Sequence, residues 1–82
     1  MTPEQAFGQI LRELRAERGL SQEEFADKCR ISRPHVSRLE TGKNSPSLSM
    51  LFQLTDALGI TPEYLVKRVH DRLNTGDKPA SG

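Results

Sequence analysis

Helix start signals recur so closely along this chain that no element between them can be long, and this punctuation constrains the fold more than any other feature. Ser21, Ser32, Ser47 and Thr61 each precede a short amphipathic stretch, and Gly19, Gly42 and Gly59 each follow one. A serine or threonine hydroxyl accepts from an amide of the first helical turn that otherwise lacks a partner, while glycine takes the left-handed backbone that ends a helix. Five segments result. The first opens with Pro3 and Glu4, carries Phe7, Leu11 and Leu14 on one face, and stops at Gly19. Ser21 and Glu24 form a capping box for the second, whose inner stripe is Phe25, Ala26 and Cys29. Ser32 caps the third, with Pro34 in its first turn and Val36 and Leu39 facing inward; Gly42 closes it.

Ser47 caps a fourth segment with Leu48, Leu51, Leu54 and Leu58 on one face, and Gly59 terminates it. Thr61, Pro62 and Glu63 start a fifth, which carries Tyr64, Leu65, Val66, Val69 and Leu73. Neither repeats nor strand-like alternation are present. The expected organisation is one helical domain over residues 1–73, followed by a flexible C-terminal tail over 74–82 that has no apolar residue larger than alanine.

Composition narrows the function classes. With 82 residues, 34% hydrophobic and 28% charged, the chain has room for one small core and for neither a catalytic domain nor a separate sensing domain. Three Phe, one Tyr and no Trp leave that core to Leu, Ile, Val and Ala. The single cysteine, Cys29, forms no intramolecular disulfide, and no apolar run reaches the length of a signal peptide or membrane span, so a cytoplasmic location is expected. An enzyme is disfavoured: Cys29 is on an inward face, His35 and His70 are far apart, and there is no acid pair or phosphate-binding loop. Metal-ligand clusters are lacking, and neither metal nor cofactor is expected.

The net charge of +1 is unevenly distributed. Residues 1–27 carry three basic and six acidic side chains, a net −3; residues 28–43 carry five basic and one acidic, a net +4; residues 44–82 carry four of each. A basic patch focused on the third segment suits docking of one face on phosphates better than general polyanion binding.

Three stretches together resemble the Cro and Xre type helix-turn-helix regulators of phages and bacteria: R-A-E-R-G-L-S-Q-E-E-F-A, I-S-R-P-H-V-S-R-L-E-T-G and L-F-Q-L-T-D-A-L-G-I-T-P-E-Y-L, spanning about Leu11 to Leu65. The resemblance implies an all-α fold, a compact five-helix lambda-repressor-like DNA-binding domain with its helix-turn-helix motif at about residues 22–41. It implies a transcriptional regulator of double-stranded DNA, bacterial or phage-encoded and nucleoid-associated, similar to small stand-alone controller or repressor proteins and without a small-molecule effector. Ala26 sits where the two motif helices cross, a place that tolerates only a small residue. Many relatives have glycine where this chain has Arg30, a position that often adopts a left-handed backbone. Arg15 and Glu40 occupy positions that resemble a structural ion pair in several relatives.

Helix geometry supplies the candidate contacts. Arg33 and then Arg38 are the first choices for reading bases, because a guanidinium fork matches the two acceptors on the guanine edge. Pro34 offers an apolar surface to a thymine methyl group, and His35 and Ser37 can donate to a base or a phosphate. Helix ends favour phosphate, which points to Ser32 and to Lys43, Asn44 and Ser45 in the loop after the third helix, and to Gln22 above all, because the resemblance implies a backbone contact at its position. For the serines, capping alone is the competing role. One such unit has a small footprint, so a homodimer on a pseudo-palindromic operator is expected. Phe52, out of phase with the leucine stripe, and Val66, Val69 and Leu73 are the candidate dimer surface; completing the monomer core is the other role open to them. A different function class, an antitoxin or other protein-binding partner that uses DNA binding for autoregulation, is the alternative.

Overall fold

The computed structural model describes residues 1–76, which form five helices: α1 (Pro3–Glu17), α2 (Gln22–Cys29), α3 (Arg33–Glu40), α4 (Leu48–Leu58) and α5 (Pro62–Gly76). The four starts after α1 carry the hydroxyl caps that the sequence calls for. Ser21 Oγ accepts from the Glu24 amide at 3.0 Å while Glu24 Oε1 accepts from the Ser21 amide at 2.8 Å. Ser32, Ser47 and Thr61 accept from the amides of His35, Met50 and Tyr64 at 3.2, 3.0 and 3.1 Å. A second capping box lies at α1, where Thr2 and Gln5 exchange side-chain and backbone bonds in the same way.

The helices enclose one core built from Phe7, Ile10, Leu11, Leu14, Phe25, Ala26, Cys29, Val36, Leu39, Leu54, Leu58 and Leu65. α1 packs on α3 and α5, and α2 packs on α3 and α4. Cys29 is enclosed, and burial pushes its thiol up to about 11, so it stays protonated and acts as a small apolar residue. Where α1 crosses the end of α3, Gly8 lies directly on the backbone: a Cβ there would sit 2.6 Å from the Leu39 carbonyl oxygen and closer still to that of Glu40. Only glycine permits this approach.

The structure departs from the sequence reading at two points. Leu48 is 73% exposed and does not belong to the inner stripe of α4. Leu48 lies within about 20° of Thr55 around the helix axis, so what separates them is position along it: Leu48 is the first residue of α4, about two turns before Thr55. Thr55 takes the buried place instead, its hydroxyl donating to the Leu51 carbonyl at 3.0 Å. On α5, Leu65 is enclosed while Tyr64 and Val66 are exposed, which leaves Val66 open to the surface. Finally, α5 continues past Leu73 to Gly76, held by the Thr75 hydroxyl donating to the Asp71 carbonyl at 2.8 Å, so the boundary expected at 73 falls too early. Residues 77–82 of the expected tail lie outside the described residues.

α1 and α5 are joined by a charged clamp. Glu13 receives both guanidinium arms of Arg72, at 2.9 Å each, and one arm of Arg68 at 3.0 Å. The hydrogen bonds from Arg72, reinforced by the charges of Arg72 and Arg68, hold the Glu13 carboxyl below its ordinary value of 4.5. A carboxyl lowered on folding adds stability above its unfolded pKa and loses it as pH falls through the folded one. Water reaches this clamp, which limits its contribution to about 1 kcal/mol. Glu13→Gln is therefore expected to lower the melting temperature at pH 7, with the gap to the parent protein closing as pH falls below about 4.5, measured by thermal melts across pH.

Candidate nucleic-acid interface

α3 is held from beneath and left open above. Val36, Leu39 and Glu40 face the protein interior, whereas Arg33, Pro34 and Arg38 are exposed and His35 and Ser37 are half-buried. At about 100° per residue, Pro34, Ser37 and Arg38 lie nearest the centre of the outward face, with Arg33 and His35 on its two flanks. Arg38 is therefore better aimed outward than Arg33, although Arg33 stands first in the helix. Among the described residues the side chains of Arg33, His35, Ser37, Lys43 and Ser45 make no hydrogen bond or ion pair with the protein. Their polar groups are available to a ligand.

The underside is fixed by a network around Glu40, whose side chain is only 3% exposed. Arg15 on α1 grips it in a fork, Nε to Oε2 at 2.6 Å and Nη2 to Oε1 at 3.1 Å. The remaining arm of Arg15 donates to the Leu20 carbonyl at 2.7 Å, in the turn before α2. Gln22, at the start of α2, donates through Nε2 to Glu40 Oε1 at 3.0 Å. The hydrogen bonds that Arg15 donates to Glu40 raise the Arg15 pKa further above its ordinary value, so its guanidinium stays charged. Gln22, expected at a phosphate, is thus anchored to the end of α3, with the second hydrogen of its amide left to donate outward.

The turn from α2 to α3 runs through Arg30 in the left-handed region, φ 60° and ψ 41°. A residue with a Cβ bears roughly 1 kcal/mol of strain there. Hydrogen bonds from Arg30 N to the Asp27 carbonyl at 3.2 Å and from Ile31 N to the Ala26 carbonyl at 3.0 Å close the helix end and hold the geometry. Beneath the turn Ala26 is 2% exposed, filling the crossing of α2 and α3. Ser32 is exposed and its oxygen accepts from the His35 amide, which leaves its hydroxyl hydrogen to donate elsewhere.

The loop after α3 folds back on that helix. The amides of Lys43 and Asn44 both donate to the Arg38 carbonyl, at 2.9 and 3.2 Å, and Gly42 turns with φ 78° over Gln5. Lys43 and Ser45 are exposed beside the outward face of α3, and Asn44 is half-buried. Two links to this scaffold have no local sequence signal: Gln22 to Glu40, and Arg18 Nε to the Leu58 carbonyl at 2.7 Å, which seals the end of α4.

Of the apolar candidates for pairing, Phe52 is 56% and Val66 52% exposed. Val69 is half-buried and packs against the core, and Leu73 is half-buried. Phe52 and Val66 line neighbouring depressions that share Pro62, so they belong to one stretch of surface across α4 and α5. Among the described residues there is no group of three or more His, Cys, Asp or Glu side chains that could hold a metal ion, and no helix is long and apolar enough to cross a membrane.

Removing Arg15 would leave the Glu40 carboxylate enclosed with only Gln22 to meet it. Arg15→Met is expected to cost about 3–5 kcal/mol in urea unfolding, and Arg15→Met with Glu40→Gln to recover most of it, because no charge is then stranded. A single-variant loss below about 1 kcal/mol would place the pair with solvent-exposed bridges.

Comparison with known proteins agrees with this geometry. A helix-turn-helix family profile matches residues 11–65. An HTH-type transcriptional regulator of Deinococcus deserti, DdrOP3, is 46% identical over 59 residues, 72% of this chain and 46% of its own length. A prophage-derived HTH-type regulator of Bacillus subtilis, YonR, is 36% identical over 64 residues, 78% of this chain and 59% of its own. The chain thus spans only about half the length of these curated relatives. The crystal structure of the restriction-modification controller protein C.AhdI from Aeromonas hydrophila superposes with a TM-score of 0.72 at 43% identity, covering 74% of this chain and 92% of that one. With its two motif helices, left-handed turn and matched span, the chain belongs to the helix-turn-helix family.

Proposed function

We propose that the protein is a sequence-specific regulator of transcription that binds double-stranded DNA as a homodimer, with α3 of each subunit in the major groove of one half of a pseudo-palindromic site. The observation that carries this reading is the outward face of α3: donors on Arg33, His35 and Ser37 without a partner among the described residues, on a helix whose underside is enclosed, in the one segment with a net +4 charge. A groove about 12 Å wide accepts such a helix and presents acceptors to it. Arg38 and Arg33 read base edges, Pro34 lies against a thymine methyl group, and His35 and Ser37 donate to bases or phosphates. Gln22 and Ser32 at helix starts, with Lys43 and Ser45 in the following loop, hold the backbone. The relatives' printed descriptions as transcriptional regulators and a controller protein support the same reading. Such a protein acts wherever the cell's DNA lies, in the cytoplasm of a bacterium, and the reading assigns it neither catalysis nor a small-molecule effector.

Dimerisation follows from footprint. A two-fold pair sets two reading helices about 34 Å apart, one turn of DNA, and doubles the contacts. The exposed Phe52 and Val66 form the centre of the pairing surface, with Val69 and Leu73 at its inner margin, where they also close the core.

Selection of bound sites from a random DNA pool tests the reading. A palindromic preference is expected, and Arg38→Ala should relax it at one base pair per half-site by about 1–3 kcal/mol, while Lys43→Ala should weaken all sequences alike and lower the salt dependence. Enrichment of no sequence at moderate salt would overturn it. In sedimentation at micromolar concentration the protein should run as twice 9.2 kDa, and Phe52→Glu with Val66→Glu should return it to the single-chain mass. A parent protein that runs only as a single chain would refute the pairing surface and leave the reading helix untouched.

A further inference from the structure

Asn44 stands among the residues expected at a phosphate, yet its side chain turns toward α3. In the amide orientation that satisfies both of its polar atoms, its oxygen accepts from Arg38 Nε at 3.2 Å and its nitrogen donates to the Lys43 carbonyl at 3.1 Å. Its own backbone amide donates to the Arg38 carbonyl at 3.2 Å, so one residue grips Arg38 at both the main chain and the side chain. Asn44 is half-buried, whereas Arg38 is exposed. Arg33 has no such brace among the described residues.

The consequence lies in the geometry of guanidinium. Its five N–H groups point in fixed directions in one plane. Engaging Nε from the side leaves Nη1 and Nη2 as a free end-on fork, the form that matches the paired O6 and N7 acceptors of guanine. A side chain held in that pose before binding loses less freedom when it docks, and restraint of one long side chain is worth about two- to tenfold in affinity for the matched base.

We propose that Asn44 is a positioning residue for base reading: it aims the Arg38 fork at a guanine in each half-site, and its main contribution is to sequence preference, not to general attraction for the phosphate backbone. This rests on the DNA-binding reading above, and the test separates the two. Bound-site selection, together with affinities for the selected site and for a copy altered at single base pairs, is carried out on the parent protein, Arg38→Ala, Asn44→Ala, Asn44→Asp and the double Arg38→Ala, Asn44→Ala variant. Thermal melts verify that each variant is folded.

Asn44→Ala should relax preference about two- to tenfold at the same base pair as Arg38→Ala and at no other, and the double variant should lose no more than Arg38→Ala alone. Asn44→Asp keeps an acceptor for Nε but brings a negative charge toward DNA, so preference at that pair should persist while affinity for every sequence falls. The contrast between the two variants, preference relaxed in Asn44→Ala and kept in Asn44→Asp, is one that neither a phosphate contact nor a purely structural role produces. Uniform weakening by Asn44→Ala with preference intact would overturn the positioning role and leave DNA reading standing. Unchanged preference in Arg38→Ala would overturn it as well, by removing the residue it acts through. A parent protein that enriches no sequence would overturn the DNA-binding reading and this inference with it.

Discussion

Every element that shapes the outward face of α3 converges on the Glu40 carboxylate. Arg15 approaches from α1, Gln22 from the start of α2, and Arg15 in turn holds the Leu20 carbonyl in the turn between them. An enclosed carboxylate is costly unless each oxygen has partners, and here Oε1 accepts twice and Oε2 once. Such a pair need not add stability over an apolar replacement. Its effect is geometric: a two-toothed guanidinium contact allows one relative placement of α1 and α3, and the link to Gln22 adds α2 to the same rigid unit. The bare backbone contact at Gly8 requires the same closeness, since α1 can reach the end of α3 only where no side chain intervenes.

The elements legible in the sequence are those whose cause is local. A cap involves a hydroxyl and an amide three residues away, so Ser21, Ser32, Ser47 and Thr61 announce their helices without any knowledge of the fold. Thr2 and Gln5 carry the same pattern and extend it to α1. Left-handed closure at Gly59 is local in the same sense, and at Arg30 the fold imposes that conformation on a residue that does not favour it. Leu48 marks where local reasoning fails. Its spacing from Leu51 and Leu54 points inward, but Leu48 is the first residue of α4, and at that end of the helix it is left to solvent.

The candidate site was legible in its composition and not in its wiring. Basic residues clustered over 28–43 and the pattern of inward Val36 and Leu39 point to an outward reading surface from sequence alone. Which donors on that surface are free and which are already engaged is set by contacts across the fold. Gln22 and Glu40 are 18 positions apart, and Arg18 and Leu58 are 40 apart. No periodicity encodes those links, and they become visible only when packing brings the helices together.

Glu13 and Arg15 lie two residues apart on α1, and therefore on nearly opposite sides of it, at about 200° of rotation. One side holds α3 through Glu40; the other holds α5 through Arg68 and Arg72. α1 is thus a strut between the helix with the outward donors and the helix that bears Val66. In the homodimer proposed above, this strut lies between each α3 and the surface along α4 and α5 that pairs the chains. Its two ends differ in kind. The Arg15 grip is enclosed and insensitive to salt, while the Glu13 clamp is reached by water and screened by it. High salt therefore weakens the Glu13 clamp and leaves the Arg15 grip intact, and α5 then depends on its apolar packing, Leu65 above all, to stay against α1.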